Sequence, residues 1–360
     1  MATTTANAKL RHNEYYGQQS ILDELYVRSL NGTKFNKLYG KIVEESNILL
    51  AYRNINANTG SKTEGTDGKT IKDIAGMSNE QVIAMVKGRL KNYSLQSVRR
   101  VEILKDNGKL RPLGIPTMSD RLIQQCILQI LEPICEAKFH NHSFGFRPNR
   151  STEHAKAIMH KMINLQHLHF VVDIDIEKFF DNVSHGKLLK QMWTMGIQDK
   201  NLFCIISAML KAEIEGIGIP TKGVPQGGLC SPLFSNVVLN ELDWWISDQW
   251  ESFETSYPYS KNHNKLDAIR KTSLLKECYI IRYADDFKIM CRTRNEAEKM
   301  FIAVKLWLKE RLNLEISQEK SKVTNLRKKS SEFLGFKIKA VVKGMKESLT
   351  QLSNLVLLLR

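Results

Sequence analysis

The sequence predicts an α+β fold, and three observations carry that prediction. Strands and helices alternate irregularly instead of repeating as βαβ units, an amphipathic helix opens at about residue 119, and two strand pairs are announced by tight turns at "LKDNGKL" and "YIIRYADDFKIMC". With 360 residues, 42% of them apolar, the chain can bury one large lobed core or two compact ones.

The elements follow in chain order. "SILDELYVRSL" and "KFNKLYGKIVEESNILLAYRNI" have helical periodicity, and the Gly/Thr/Asn-rich "NANTGSKTEGTDGKT" after them reads as a loop. "NEQVIAMVKGRLKNY" is a further helix, and "SVRRVEILKDNGKLRPLGIP" is a hairpin closed by Asp-Asn-Gly. Ser119 is the expected N-cap of "SDRLIQQCILQILEPICEAKF", which sets Leu122, Ile123, Cys126, Ile127, Ile130, Leu131 and Ile134 on one stripe facing a core. A helix over about 152–166 leads into the strand "HFVVDIDI", and "KLLKQMWTMGI" and "KNLFCIISAMLKAEI" supply two more helices. The aromatic and polar stretch 244–278 lacks clean periodicity and is expected as a surface insertion.

Lys plus Arg number 53 against 38 Asp plus Glu, a formal charge of +15 that points to a polyanionic partner. The excess is clustered: residues 87–111 carry eight basic residues against two acids, and 320–346 carry nine against Glu332 alone. The six cysteines show no CxxC spacing, so neither a zinc knuckle nor a disulfide framework is expected and a reducing, cytoplasmic setting is. No apolar run has the length of a membrane span, and "MATTTANAKLRHNEYY" lacks the apolar centre of a signal peptide. Histidines 140, 142, 154, 160, 167 and 169 fall close together without metal-ligand spacing and are expected as surface or core residues.

Asp285 and Asp286 stand side by side between two strand-like runs. Alone, such a pair is ordinary turn chemistry. A third carboxylate is available on the strand "FVVDIDI", where Val172, Ile174 and Ile176 alternate with Asp173 and Asp175. If that strand lies beside the Asp-Asp hairpin, Asp175, Asp285 and Asp286 can converge on divalent cations and support phosphoryl or nucleotidyl transfer. Spacing alone leaves two unrelated acidic turns as the other reading.

Further blocks surround these residues. "RPLGIPTMSDRLIQQ", "SFGFRPNRS", "DIDIEKFFDNVSH", "GVPQGGLCSPLFSNVVLNELD", "YADDF" and "EFLGFKI" occur in the order seen in reverse transcriptases, and the sequence resembles those encoded by bacterial group II introns, also called maturases, over about residues 35–340. The resemblance implies a right-hand polymerase fold of fingers and palm, with an antiparallel palm sheet packed on helices. It implies an N-terminal extension at 1–34, fingers at 35–169, a palm at 170–340 that includes the 244–278 insertion, and the start of a thumb helix at 341–360. It further implies an RNA-directed DNA polymerase that uses two Mg2+ ions and dNTPs to extend a DNA or RNA primer on an RNA template, and that binds group II intron RNA for splicing and retrohoming.

Residue by residue, the resemblance makes Asp175, Asp285 and Asp286 the metal ligands, with the Ile176 carbonyl as a further one and Asp173 at most a supporting group. Lys320 becomes the proton donor to pyrophosphate, with Lys322 close enough to be confused with it. Phe180 lies under the sugar of the incoming nucleotide, where a flat ring excludes a ribose 2′-hydroxyl. Arg111 and Lys105 become triphosphate clamps, although Lys105 also reads as an exposed turn charge. Gln226 of "PQGG" contacts nucleotide or template, and Arg147 and Arg150 contact template phosphate. Core packing remains open for Phe180.

The final "ESLTQLSNLVLLLR" places Leu349, Leu352, Val356 and Leu359 on one helical stripe, which implies a chain cut near the thumb boundary or a natural short form. An uncovered stripe also implies a homodimer or packing onto the palm. Two other functions fit the same blocks: a non-catalytic RNA-binding splicing cofactor, or a reverse transcriptase of a retron, a diversity-generating element or a CRISPR-linked system.

Overall fold

The computed structural model describes residues 10–104, 108, 110–343 and 346–349, and the side chains of 111, 342, 343 and 346–349 fall outside that description. The chain forms two compact units, each made of two stretches: Met1–Lys138 with Val183–Phe234, and Phe139–Asn182 with Ser235–Arg360. The sequence boundaries at 169/170 and 34/35 run along the chain, whereas the units interleave.

The first unit is built on the helix Met118–Glu136, on which Gln19–Leu30, Glu45–Asn56 and Asn79–Lys91 all pack. Every residue of its expected apolar stripe is buried. Residues 19–30 are therefore part of this core and not an appendage: Ser29 Oγ donates to the Ile134 carbonyl at 2.7 Å. The N-cap is Thr117, not Ser119. Thr117 holds extended backbone and its hydroxyl accepts from the Asp120 N–H, while Ser119 already lies inside the first turn with its hydroxyl against Arg89. β1 (Arg99–Leu104) and β2 (Leu110–Ile115) pair antiparallel from Arg99↔Ile115 to Leu104↔Leu110, as the Asp-Asn-Gly signal predicts. The "PQGG" loop lies along β2, with the Gly114 N–H donating to the Gln226 carbonyl at 2.6 Å. Gly227 has φ +114, and a Cβ there would meet the Gly114 carbonyl oxygen at 2.4 Å, so only glycine fits.

The second unit carries a four-stranded sheet in which β3 (Phe170–Ile174), β4 (Cys278–Tyr283), β5 (Asp286–Cys291) and β6 (Lys322–Asn325) run in the order β4-β5-β3-β6, antiparallel throughout. Helices Thr152–Asn164 and Arg294–Trp307 pack on it. Residues on β4 and β5 are buried almost without interruption, which is why those strands read as continuous apolar runs. Two hairpins follow: β7 (Ser331–Phe333) with β8 (Phe336–Ile338), and β9 (Ala340–Lys343) with β10 (Lys346–Leu349).

Two expectations need correction. The 244–278 stretch is rooted at its start, where the helix Ser231–Asp248 continues through Trp244 and Trp250, 1% exposed, donates Nε1–H to the Tyr279 hydroxyl; residues 251–276 lie at the surface as expected, with a helix at Asn262–Thr272 and only Ile269 of them buried. One buried indole at a helix end anchors the segment without any periodic pattern. The C-terminal helix is not formed where residues are described, since 346–349 are strand β10, paired to β9. Leu352, Val356 and Leu359 of the expected stripe lie outside the described residues.

Candidate active site

Antiparallel pairing brings the acidic positions together. The two-residue link between β4 and β5, Ala284 and Asp285, projects from one end of the sheet, and β3 lies beside β5 with Ile174 opposite Phe287. The next residue after β3 is Asp175. The chain then stays in place because Ile176 pairs with Ile316, Ser317 N–H donates to the Asp175 carbonyl at 2.8 Å, and Glu177 N–H donates to the Glu315 carbonyl at 2.9 Å. A cavity of about 590 Å³ is lined by Asp173, Asp175, Ile176, Asp285 and Asp286, with Lys288, Lys320 and Lys322 around them. Asp175 and Asp285, 110 positions apart in sequence, thus share one pocket.

The β4–β5 turn is held from behind. Ala284 sits at φ +57, a left-handed conformation that disfavours a residue with a Cβ, and such strain persists only where neighbours over-determine it. Arg282, fully buried, supplies the brace: Nη1–H donates to the Ala284 carbonyl and to Asn236 Oδ1, both at 2.8 Å, while Nε and Nη2 clasp the Asp243 carboxylate at 2.6–3.0 Å. Asn236 in turn donates to the Gly145 carbonyl at 2.8 Å. The "SFGF" segment runs parallel to the end of β4, with Arg282 N–H on the His142 carbonyl and Phe144 N–H on the Arg282 carbonyl. Gly145 lies so close that a Cβ there would stand 2.3 Å from the Ala284 nitrogen.

Electrostatics separate the aspartates. Asp173 is 4% exposed and its carboxylate accepts from the Thr324 and Ser331 hydroxyls at 2.8 and 2.7 Å and from Lys288 Nζ at 3.1 Å. These three donors hold it as a support of the site, with both oxygens engaged. Lys288 also reaches Asp286 Oδ1 at 3.4 Å. Burial pushes the Asp286 carboxyl above its ordinary range and neighbouring Asp285 adds to that, while Lys288 and the Leu334 N–H act in the opposite direction. Lys320, largely exposed, donates to the Asp175 carboxylate at 3.2 and 3.4 Å. The pocket's carboxylates offer an all-oxygen donor set, with Ile176 also in the lining and no His or Cys in it. That chemistry fits a hard divalent cation.

The remaining expected residues fall elsewhere. Arg147 is not available for template phosphate: it is 7% exposed, donates to the His140 and Ser143 carbonyls at 2.7 and 2.8 Å, and lies over the Phe139 ring. Its role is to fold the "SFGF" segment. Arg150 is partly exposed, donates to the Asn141 carbonyl at 2.7 Å and covers Phe144. Phe180, in the short helix Phe179–Asn182, is half-buried edge-on to Phe179 and is not among the residues lining the pocket. Gln226 belongs to the first unit, as does Arg111, whose backbone pairs with Ile103. Lys105 and the Arg111 side chain lie outside the described residues. Sequence reasoning passed over Lys288, Arg282, Asp243 and Asn236; the one signal was two basic residues within an otherwise apolar hairpin.

An antiparallel sheet that presents clustered carboxylates at one end, with lysines around them, defines the palm of a nucleic-acid polymerase. The profile described as "Reverse transcriptase (RNA-dependent DNA polymerase)" matches residues 103–338, and the chain belongs to that family. Among curated relatives, Protein YkfC of Escherichia coli (strain K12) is 32% identical over 282 residues, 74% of this chain and 74% of its own. Group II intron-encoded protein LtrA of Lactococcus lactis subsp. cremoris is 31% identical over 349 residues, 85% of this chain and 57% of its own. The Putative COX1/OXI3 intron 2 protein of Saccharomyces cerevisiae is 25% identical, covering 87% of this chain and 42% of its own. These similarities set the chain among the group II intron reverse transcriptases, and it spans only part of each relative. The solved "Partial Cas6-RT-Cas1--Cas2 complex" aligns at 20% identity over 75% of this chain and 42% of that one with a TM-score of 0.40, too slight a likeness to argue from. No helix among the described residues is long and apolar enough to cross a membrane.

Proposed function

We propose that the chain copies RNA into DNA, adding dNTPs to the 3′-hydroxyl of a primer, and that the second unit's sheet is the palm on which this happens. The observation that carries the reading is the meeting of Asp175, Asp285 and Asp286 in one pocket with Lys320. Asp175, Asp285, Asp286 and the Ile176 carbonyl would hold two Mg2+ ions, which when bound supply Lewis acidity at the attacking hydroxyl and at the leaving pyrophosphate. Lys288 bridges Asp173 and Asp286 and offsets part of the repulsion between their carboxylates. Lys320 holds Asp175 until substrate arrives, then turns its ammonium to the pyrophosphate as proton donor. The cytoplasm is the expected compartment. Group II intron RNA, bound for splicing and retrohoming, is a further partner in this reading, which the likeness to intron-encoded proteins supports.

Primer extension on an RNA template with dNTPs and Mg2+ tests this directly. Extension by the parent chain and its loss to background in Asp285→Ala/Asp286→Ala is the expected result. A parent chain that binds intron RNA tightly yet adds no nucleotide would overturn the polymerase reading and favour a non-catalytic splicing cofactor.

A further inference from the structure

Away from the carboxylate pocket, the second unit brings two histidines of the "HNHSFGF" segment against an acidic residue from the stretch expected as a surface insertion. Nδ1 of His142 stands 3.5 Å from Oε2 of Glu251, and Nε2 of His140 stands 3.9 Å from the same oxygen. One ligand atom from each residue lies within 4.8 Å of the other two. His142 Nδ1 and Glu251 Oε2 are both buried and lack a hydrogen-bond partner. Buried polar atoms are rarely left so, because the lost hydration has to be replaced by something.

We propose that His140, His142 and Glu251 bind one transition-metal ion, with zinc the metal that fits them best. Three N and O ligands at about 2.0–2.2 Å from a tetrahedral ion stand roughly 3.4 Å apart, close to the 3.5 and 3.9 Å from the two histidine nitrogens to Glu251 Oε2. The rings are already placed: His140 packs edge-on to Trp244 with centroids 4.9 Å apart, and to His142 at 5.3 Å. The site leaves a fourth position for water on the side where Glu251 is 27% exposed.

Burial lowers both imidazoles, His140 to about 4. The His142 N–H donates to His140 Nδ1 at 3.2 Å, which in the metal-free chain leaves the ring proton on Nε2, facing Glu251. Metal at Nε2 moves that proton to Nδ1 and gives up the one amide hydrogen bond, in exchange for satisfying two buried orphan atoms. Ligand type decides between metals. A single carboxylate beside two imidazoles is a poor host for magnesium or calcium, which bind through several oxygens. Imidazole-rich sites suit zinc and its neighbours. The ion ties residue 251 to the segment whose His142 carbonyl accepts from Arg282, directly behind the β4–β5 turn.

The test is titration of the full chain, stripped with chelator, by Zn2+ against a chromophoric competitor with excess Mg2+ present. One zinc per chain is expected, with at least about tenfold weaker binding in His142→Ala and Glu251→Gln and no change in His154→Ala, an exposed histidine on the 152–164 helix. Absence of stoichiometric zinc, or full binding retained in folded His142→Ala and Glu251→Gln, would overturn the site. Should those variants fail to fold by circular dichroism, Co2+ loading of the parent decides. A visible ligand-field band of four-coordinate cobalt supports the site, and its absence removes it.

Discussion

Lys288 meets Asp173 and Asp286 at once, and that one side chain explains how these two carboxyl groups can sit together at the end of a buried sheet. Its position opposite Asp173 across β3 and β5 follows from register and could not be read from the two segments separately. A second isolated charge sits in the first unit. Glu132, half-buried on the 118–136 helix with Glu136 one turn further on, is pushed up to about 7, chiefly by burial and also by that neighbour. A carboxyl raised in the folded state holds its proton more tightly there than in the unfolded chain, so its stability contribution is complete below about pH 4.5 and is lost as pH rises through 7. Glu132→Gln should therefore be more stable than the parent at pH 8 by roughly 3 kcal/mol, with the difference vanishing near pH 4. Urea unfolding at the two pH values measures it, and an unchanged gap would show that Glu132 does not titrate as described.

The β4–β5 turn is the element on which the site depends, and its conformation comes from parts of the chain distant in sequence: Arg282 on the strand, Asn236 and Asp243 on the preceding helix, and Gly145 from the "SFGF" block. That block resembled a template contact in the sequence, yet its arginine is turned inward to the chain's own carbonyls. Gly145→Ala puts a methyl where 2.3 Å separates the Cβ from the Ala284 nitrogen, so the turn has to move. Displacements of about 1 Å at reacting groups cost on the order of a hundredfold in rate. Primer extension should fall by about that factor while circular dichroism stays native. Gly186→Ala, with nothing within 4 Å of its Cβ, should keep extension intact. Equal activity in both variants would mean that the turn does not rest on Gly145.

Across the whole molecule the formal charge of +15 dominates. Neutralising phosphates releases counterions, so affinity for RNA should fall about 10³–10⁵-fold between roughly 50 and 200 mM salt if 6–10 phosphates are contacted. Filter binding across a salt series measures the slope, and a flat response would show that the basic clusters at 87–111 and 320–346 do not grip the backbone. The interleaving of the two units belongs to this scale too. Residues 183–234 follow the first acidic strand in sequence but pack with the first unit. Contiguous boundaries drawn along the chain miss this because compactness depends on contacts between remote segments.

The sequence by itself determined the α+β class, the apolar stripe of the 118–136 helix, the β1–β2 hairpin and Asp175, Asp285 and Asp286 as candidates for one site, because each rests on local periodicity, turn chemistry or a short motif. Only the tertiary structure decided that Asp173 is a hydrogen-bonded support, that Arg147 faces inward, that Trp250 roots the 244–278 stretch, and that Glu251 meets His140 and His142. The Asp173 and Glu251 contacts join side chains more than a hundred residues apart, while Trp250 meets Tyr279 across 29 positions and Arg147 turns to carbonyls four and seven residues away. No local pattern encodes such approaches.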